Sequence, residues 1–259
     1  MMKELIKQEI SKQIKQKSVL IHTVLIIIST TIVSLFIKYS DTEILLLEKI
    51  LPALFGVSGL IVFCLVYFAS QLVSMEFRYG TIKTILMQGY TRKQILTSKT
   101  FVILIYSLFL HAVAFIATMI LKMILFPEFH FDGAITQGHS LFEMMILNTL
   151  GSFIASWLFI SVVIMITCLV KKDAIASLIG VVAYFLTSML AGIQFSLLKE
   201  YSWLKWNPFN MLNLNNQLTN FEMMRDLTQL TTSSLLIGNC VYVIIFLFLG
   251  YLTFNKKRI

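Results

Sequence analysis

The sequence predicts an all-α integral membrane protein with six spanning helices. Three observations carry this. The chain of 259 residues is 58% hydrophobic and only 13% charged, with a mean hydropathy of +0.84. A soluble domain of this size needs a charged shell that this composition does not supply. The apolar residues fall in runs of 18 or more, long enough to cross roughly 30 Å of hydrocarbon. Backbone polar groups at that depth must pair internally, so the runs are expected as helices, and no alternating ten-residue segments suggest a barrel.

The elements follow in order. Residues 1–17 form an expected amphipathic helix, with Met2, Ile6, Ile10 and Ile14 recurring every four positions and Leu5 beside them. Lys3, Lys7, Lys12, Lys15 and Lys17 supply its basic face, so it is expected to lie along the membrane interface. The first span, Ser18–Ile37, is followed by no small-residue cleavage site and reads as a retained span, not a signal peptide. The others are expected at Leu51–Ser74, Thr100–Leu125, Met144–Val170, Ala174–Leu197 and Ser234–Phe254. Small residues at Gly56, Gly59, Gly180 and Ala183 permit close helix packing, either within one chain or between copies.

Charge sets the expected orientation. Segments 1–17, 75–99, 171–173 and 255–259 carry fifteen of the 21 Lys and Arg, which places them and both termini in the cytoplasm. The net charge of +8 then belongs to the anionic inner leaflet, not to nucleic acid. Lys122 is expected to snorkel at an outer helix end. Tyr201, Trp203 and Trp206 mark an outer interface, within an outer loop or re-entrant segment at 198–233. The chain reads as a single transmembrane domain, 1–259, with no soluble domain. Lysine outnumbers arginine 17 to 4, in keeping with an AT-rich bacterial genome.

The inner loop 75–99 is moderately apolar yet too charged to span. Thr81 can cap a short helix after Gly80, Ile82, Ile85, Leu86 and Met87 give it an apolar face, and Gly89 suits its end. Thr91 can cap the next turn, which carries Arg92 and Lys93 into the third span. The result is a helical hairpin flat beneath the membrane, or else a loop that merely obeys the charge rule.

Glu76-x-x-x-Gly80-Thr81, then Gly89-x-Thr91-Arg92, then Lys99 at the third span resembles the ABC-2 type transporter permease family. Trp206-Asn207-Pro208-Phe209 is similar to that family's outer segment, with Pro208 breaking a short re-entrant helix. The resemblance implies a half-transporter in the bacterial cytoplasmic membrane. It would pair with a second permease copy or a paralogous permease, and with two copies of a cytoplasmic ATPase. It implies that Glu76, Gly80, Thr81, Arg92 and Lys99 couple the spans to that ATPase. Compact six-span members without a large outer domain resemble Gram-positive permeases for export of, or immunity to, antimicrobial peptides, antibiotics or toxins.

The search for chemistry points the same way. No Gly-x-x-x-x-Gly-Lys-Ser/Thr loop occurs, so ATP and Mg are expected on the partner ATPase and no cofactor on this chain. No hydrolase motif is present and the chain is not expected to be an enzyme. Cys64, Cys168 and Cys240 read as small buried hydrophobes. His130 and His139 with Glu128 and Asp132 match no metal-ligand spacing, so no metal is expected. His111, midway along span three, is either a proton-step group or a neutral histidine bonded to a neighbouring helix. Ser70 and Gln71 in span two, with Thr187, Ser188 and Gln194 in span five, either line a path for an amphipathic or apolar cargo or bond between helices. Few charges lie in the spans, which disfavours an ion-driven carrier. The alternative to an exporter subunit is a membrane sensor or immunity protein without transport.

Overall fold

The computed structural model describes residues 2–40, 50–132, 134–136, 139–170 and 173–256, with the side chains of 134–136, 173 and 188 outside that description. The basic loop 171–172, segment 41–49 and residues 257–259 lie outside the described residues. The helices in order are α1 (Met2–Lys15), α2 (Ser18–Tyr39), α3 (Ser58–Arg78), α4 (Ile82–Met87), α5 (Arg92–Leu125), α6 (Leu141–Leu169) and α7 (Asp173–Glu200). There follow α8 (Pro208–Met211), α9 (Leu214–Thr219), α10 (Phe221–Thr228) and α11 (Thr232–Lys256). A two-residue antiparallel register between β1 (Ala134–Thr136) and β2 (His139–Ser140) leads into α6.

Five helices, α2, α3, α5, α6 and α11, are long and apolar enough to cross a membrane. A sixth crossing is available from α7, which bends by 57° between Ala174–Thr187 and Met189–Glu200. The protein is a multi-pass α-helical membrane protein. Helices α3 and α6 form the centre, being 72% and 61% buried over their apolar windows, whereas α11 is only 22% buried. α6 packs against α3, α7 and α11, and α5 carries α1 and α2 on its other side. Large apolar side chains such as Leu20, Ile32 and Phe36 on α2 and Ile237, Ile244 and Phe248 on α11 stay exposed, as surfaces facing lipid do.

The second spanning helix begins seven residues later than the apolar run suggests. Leu54, Phe55 and Gly56 adopt left-handed φ of 52°, 53° and 73°, which turns the chain before Ser58. Left-handed backbone costs about 1–2 kcal/mol at a non-glycine residue. Here it is offset by burial of Leu54 and Phe55, the latter packed against Phe126 with ring centroids 6.2 Å apart. The third spanning helix starts earlier than expected, at Arg92. Thr91 accepts from the Gln94 amide and Gln94 answers with the Thr91 amide, a full capping box. Helix propagation from a good cap carries the basic first turn and the span as one rod of 34 residues.

Glycine contacts settle where the small residues act. A Cβ at Gly59 would lie 2.8 Å from the Tyr184 hydroxyl, and one at Gly180 would lie 2.7 Å from both Val66 and Val163. These positions serve packing of α3, α6 and α7 within one chain. Gly56 serves the turn.

Three other expectations are corrected. Lys122 is buried, not snorkelling, with its ammonium 4.1 Å from the centroid of the Phe131 ring. Cys240 is exposed on α11, whereas Cys64 and Cys168 are buried. Pro208 starts a helix instead of breaking one: it occupies the first turn of α8, where its missing N–H is no loss, and Asn207 caps that turn by accepting from the Asn210 amide at 2.8 Å.

Candidate functional site

Among the described residues a dense polar cluster lies at the bundle end that carries α1. There α1 crosses the end of α3 and the start of α5. Its buried stripe is Leu5, Glu9 and Gln13, while Ile6 and Ile10 are half-buried and Ile14 is exposed. The helix is therefore rotated from the face that its isoleucines alone suggest. The cause is Glu9, whose carboxylate turns inward to meet Lys99 of α5.

Four charged groups close a ring. Lys12 Nζ donates to Glu9 Oε1 at 2.9 Å and to Glu76 Oε1 at 3.0 Å. Lys99 Nζ donates to Glu9 Oε2 at 2.9 Å and to Glu76 Oε1 at 3.3 Å. The Thr81 hydroxyl donates to the second oxygen of Glu76. Glu9 and Glu76 are 1% exposed, Lys99 is 0% exposed, and only the Lys12 side chain reaches solvent at 38%. Two carboxylates and two ammoniums leave no net charge, so the ring can sit where a single ion would not. Burial disfavours the Lys12 charge, yet the carboxylates of Glu9 and Glu76 outweigh it and hold this amine above its ordinary range.

The hairpin between α3 and α5 hangs from this ring. Gly80 and Gly89 bracket α4 with φ of 69° and 87°, backbone states in which a side chain is strained. Thr81 stands before α4 with helical φ and ψ of −75° and −11°, makes no side-chain capping bond, and donates its hydroxyl to Glu76. Ile82 and Ile85 bury the inner face of α4. Tyr79, Lys83 and Met87 remain exposed, Met87 at 80%. Arg92, beside the hairpin, donates through Nη1 to the carbonyls of Phe254 at 3.1 Å and Asn255 at 2.8 Å. A cation there satisfies last-turn carbonyls of α11 and complements that helix's dipole. The Phe77 ring meets Phe254 edge-on at 5.3 Å.

The structure thus brings Glu76, Thr81 and Lys99 into direct contact, places Gly80 in the turn joining them, and sets Arg92 against α11. Sequence reasoning misses Glu9 and takes Lys12 for part of a solvated face. The signal is nonetheless present: Leu5, Glu9 and Gln13 share a helix face, and a carboxylate on a buried face requires a partner.

The residues singled out as pathway candidates are not one cluster. The Ser70 hydroxyl meets that of Ser177, joining α3 to α7. The neighbouring Gln71 has a buried Oε1 without a hydrogen-bond partner. Thr187 and Gln194 line a cavity farther along α7, about 15 Å or more from Ser177 by helix rise. The Ser188 side chain lies outside the described residues. His111 bonds through Nδ1 to the Ser107 carbonyl of its own helix at 2.8 Å, not to a neighbouring helix. Among the described residues no group of three or more His, Cys, Asp and Glu is placed to hold a metal. His139 instead contacts Glu143 at 3.3 Å.

At the opposite end, residues 201–231 form a compact cap. Asn210 donates to the carbonyls of Lys205 at 2.7 Å and Thr228 at 2.9 Å. Gln217 donates to the Leu230 carbonyl at 2.9 Å and accepts from Thr228 at 2.6 Å, and Asn239 of α11 donates to the Met211 carbonyl at 2.6 Å.

One curated relative is "Uncharacterized protein YhcI" of Bacillus subtilis (strain 168), 24% identical over 201 residues, covering 74% of this chain. This chain spans 62% of that relative's length. A family model described as "Protein of unknown function (DUF2705)" matches residues 46–259, from the approach to α3 onward. Glu76, Thr81, Arg92 and Lys99 fall inside the match and Glu9 and Lys12 before it. The chain, a multi-pass helical membrane protein with a charge ring at one end and an amide-bonded cap at the other, belongs to the DUF2705 family.

Proposed function

We propose that this protein is the membrane-spanning subunit of an exporter driven by a separate cytoplasmic ATPase, of the ABC-2 type that its 76–99 pattern resembles. The observation that carries the reading is the buried ring of Glu9, Lys12, Glu76 and Lys99. It fastens the base of the α4 hairpin to two spanning helices and to the interfacial helix α1. A push on α4 is then transmitted to α1, α3 and α5 together, and through Arg92 to the end of α11. The exposed residues Tyr79, Lys83 and Met87 offer the ATPase a surface. In this reading both termini are cytoplasmic, two permease chains and two ATPase chains form the working unit, ATP and Mg bind the ATPase, and an amphipathic cargo moves outward by alternating access.

The test is purification of tagged protein from native membranes in mild detergent. A P-loop ATPase should co-purify in stoichiometric amount. It should be lost on Met87→Asp while the membrane protein stays monodisperse with unchanged thermal stability. Absence of any ATPase at native expression sinks the proposal and leaves a sensor or immunity protein.

A further inference from the structure

Beyond the charge ring, the most organised polar surface lies around the bend of α7. A cavity of about 290 Å³ opens between the start of α3, the middle of α6, the bent helix and the cap. Its polar wall includes Ser156, Thr187, Gln194 and Asn213, with Ser58, Ser152, Tyr184 and two further asparagines beside them, and among the described residues no Asp, Glu, Lys, Arg or His lines it. Part of this wall is already bonded. The Ser156 hydroxyl donates to the Phe153 carbonyl and that of Thr187 to the Tyr184 carbonyl, each at 2.7 Å. Asn210 Oδ1 accepts from Gln194 at 3.3 Å and from Asn213 at 3.4 Å, holding both carboxamides in place. For a ligand, Ser156 and Thr187 keep acceptor oxygens, Gln194 and Asn213 each keep an acceptor oxygen and a second N–H, and the Ser58 and Ser152 hydroxyls can donate.

A second cleft of about 300 Å³ adjoins the first, and Thr187, Gln194 and Phe209 line both. Its remaining lining is almost wholly apolar, including Leu190, Ile193, Leu197 and Leu204. Leu190, Ile193 and Leu197 are exposed on α7, so this cleft opens on the apolar surface of the bundle. The shared wall stands where α7 bends. A polar, uncharged chamber and an apolar cleft thus meet across three side chains.

We propose that the two clefts form one bipartite site for an uncharged amphipathic molecule with an amide-type polar group. The polar group enters the chamber and its N–H donors meet the oxygens of Ser156, Thr187, Gln194 and Asn213. The apolar part lies along Leu190, Ile193 and Leu197. A charged head group would lose its hydration with no counter-charge to replace it, so net charge is selected against. Naming this molecule the cargo rests on the transport reading; the binding site does not.

The experiment uses the full chain in lipid nanodiscs, together with whatever co-purifies. The probe is N-dodecanoyl-glycylglycine amide with a diazirine in its acyl chain. It should cross-link saturably to residues 190–204. Unlabelled amide should compete at least tenfold better than the analogues ending in a free carboxylate or a trimethylammonium group. Thr187→Val and Asn213→Leu should each weaken probe binding about tenfold, as loss of one buried hydrogen bond does. Both must match the parent in unfolding temperature, and Thr187→Val preserves shape if Asn213→Leu disturbs the cap. Equal competition by the charged analogues, cross-links spread over α2 and α11, or no saturable labelling each overturn the site. Co-purification of the ATPase is scored separately. Failed labelling with the ATPase present removes the site and leaves the transporter; labelling without an ATPase does the reverse.

Discussion

The two ends of this molecule bury polar groups in opposite ways. At one end four ions pair across three helices, joining residues 23, 64 and 90 positions apart in sequence. At the other, neutral carboxamides bond mainly to backbone carbonyls 5 to 28 positions away. Ions attract over longer reach but each needs its partner, since a lone buried charge is severely destabilising. Carboxamides hold short helices in register, and each bond is worth less alone. The charged end should therefore behave as one unit that stays whole or fails, and the cap as a set of separable ties.

The largest effect expected is from Lys99→Met, which leaves two buried carboxylates with one half-exposed amine. It should destabilise the protein by about 3–5 kcal/mol, read from unfolding in detergent. Adding Glu9→Gln to Lys99→Met should recover part of the loss; a double variant no better than the sum of the singles would show that the ring is not a unit. Next comes Asn210→Ala in the cap, which leaves the Lys205 and Thr228 carbonyls unpaired and should cost about 1–3 kcal/mol. If it proved as damaging as Lys99→Met, the contrast between the two ends would fail.

Part of this contrast is legible in the amino-acid sequence, and the gaps have specific physical reasons. The spans are legible because hydrocarbon thickness fixes the length of an apolar run. The Thr91 cap is legible because it is local. Glu9 is not, because isoleucine spacing outweighs a single carboxylate whose long-range partner, Lys99, lies 90 residues away on α5. The Thr81 hydroxyl reads as the cap of its own helix, and only tertiary contact gives it to Glu76. Asn207, Asn210, Asn213 and Gln217 read as a polar loop, because amide bonds between short helices leave no period in the sequence. Lys122 reads as water-facing because the Phe131 ring beneath it is nine residues farther on.

Smaller effects sharpen the comparison. Arg92→Gln should cost about 1 kcal/mol and speed amide hydrogen exchange in the last turn of α11, without touching the ring. Lys12→Met should cost less than Lys99→Met, because water reaches its 38% exposed position and can solvate the carboxylates it leaves. The Lys12 amine is raised above its usual 10.5, so its contribution is fully present below that pH and is lost as pH climbs through the raised value. The difference in unfolding temperature between parent and Lys12→Met should stay constant from neutral pH to about 10 and shrink only beyond it.

The ring also dictates an order of events during biogenesis. Glu9 leaves the ribosome 90 residues before Lys99, roughly 5–20 s at ordinary elongation rates. Through that interval the carboxylate has Lys12 beside it but not Lys99, so α1 cannot yet take its place in the ring. It takes its final place only after the second span has been threaded and the third has begun. The segment made before the others in the ring is thus the last to be locked, and its docking reports that the second spanning helix is complete and the third has started.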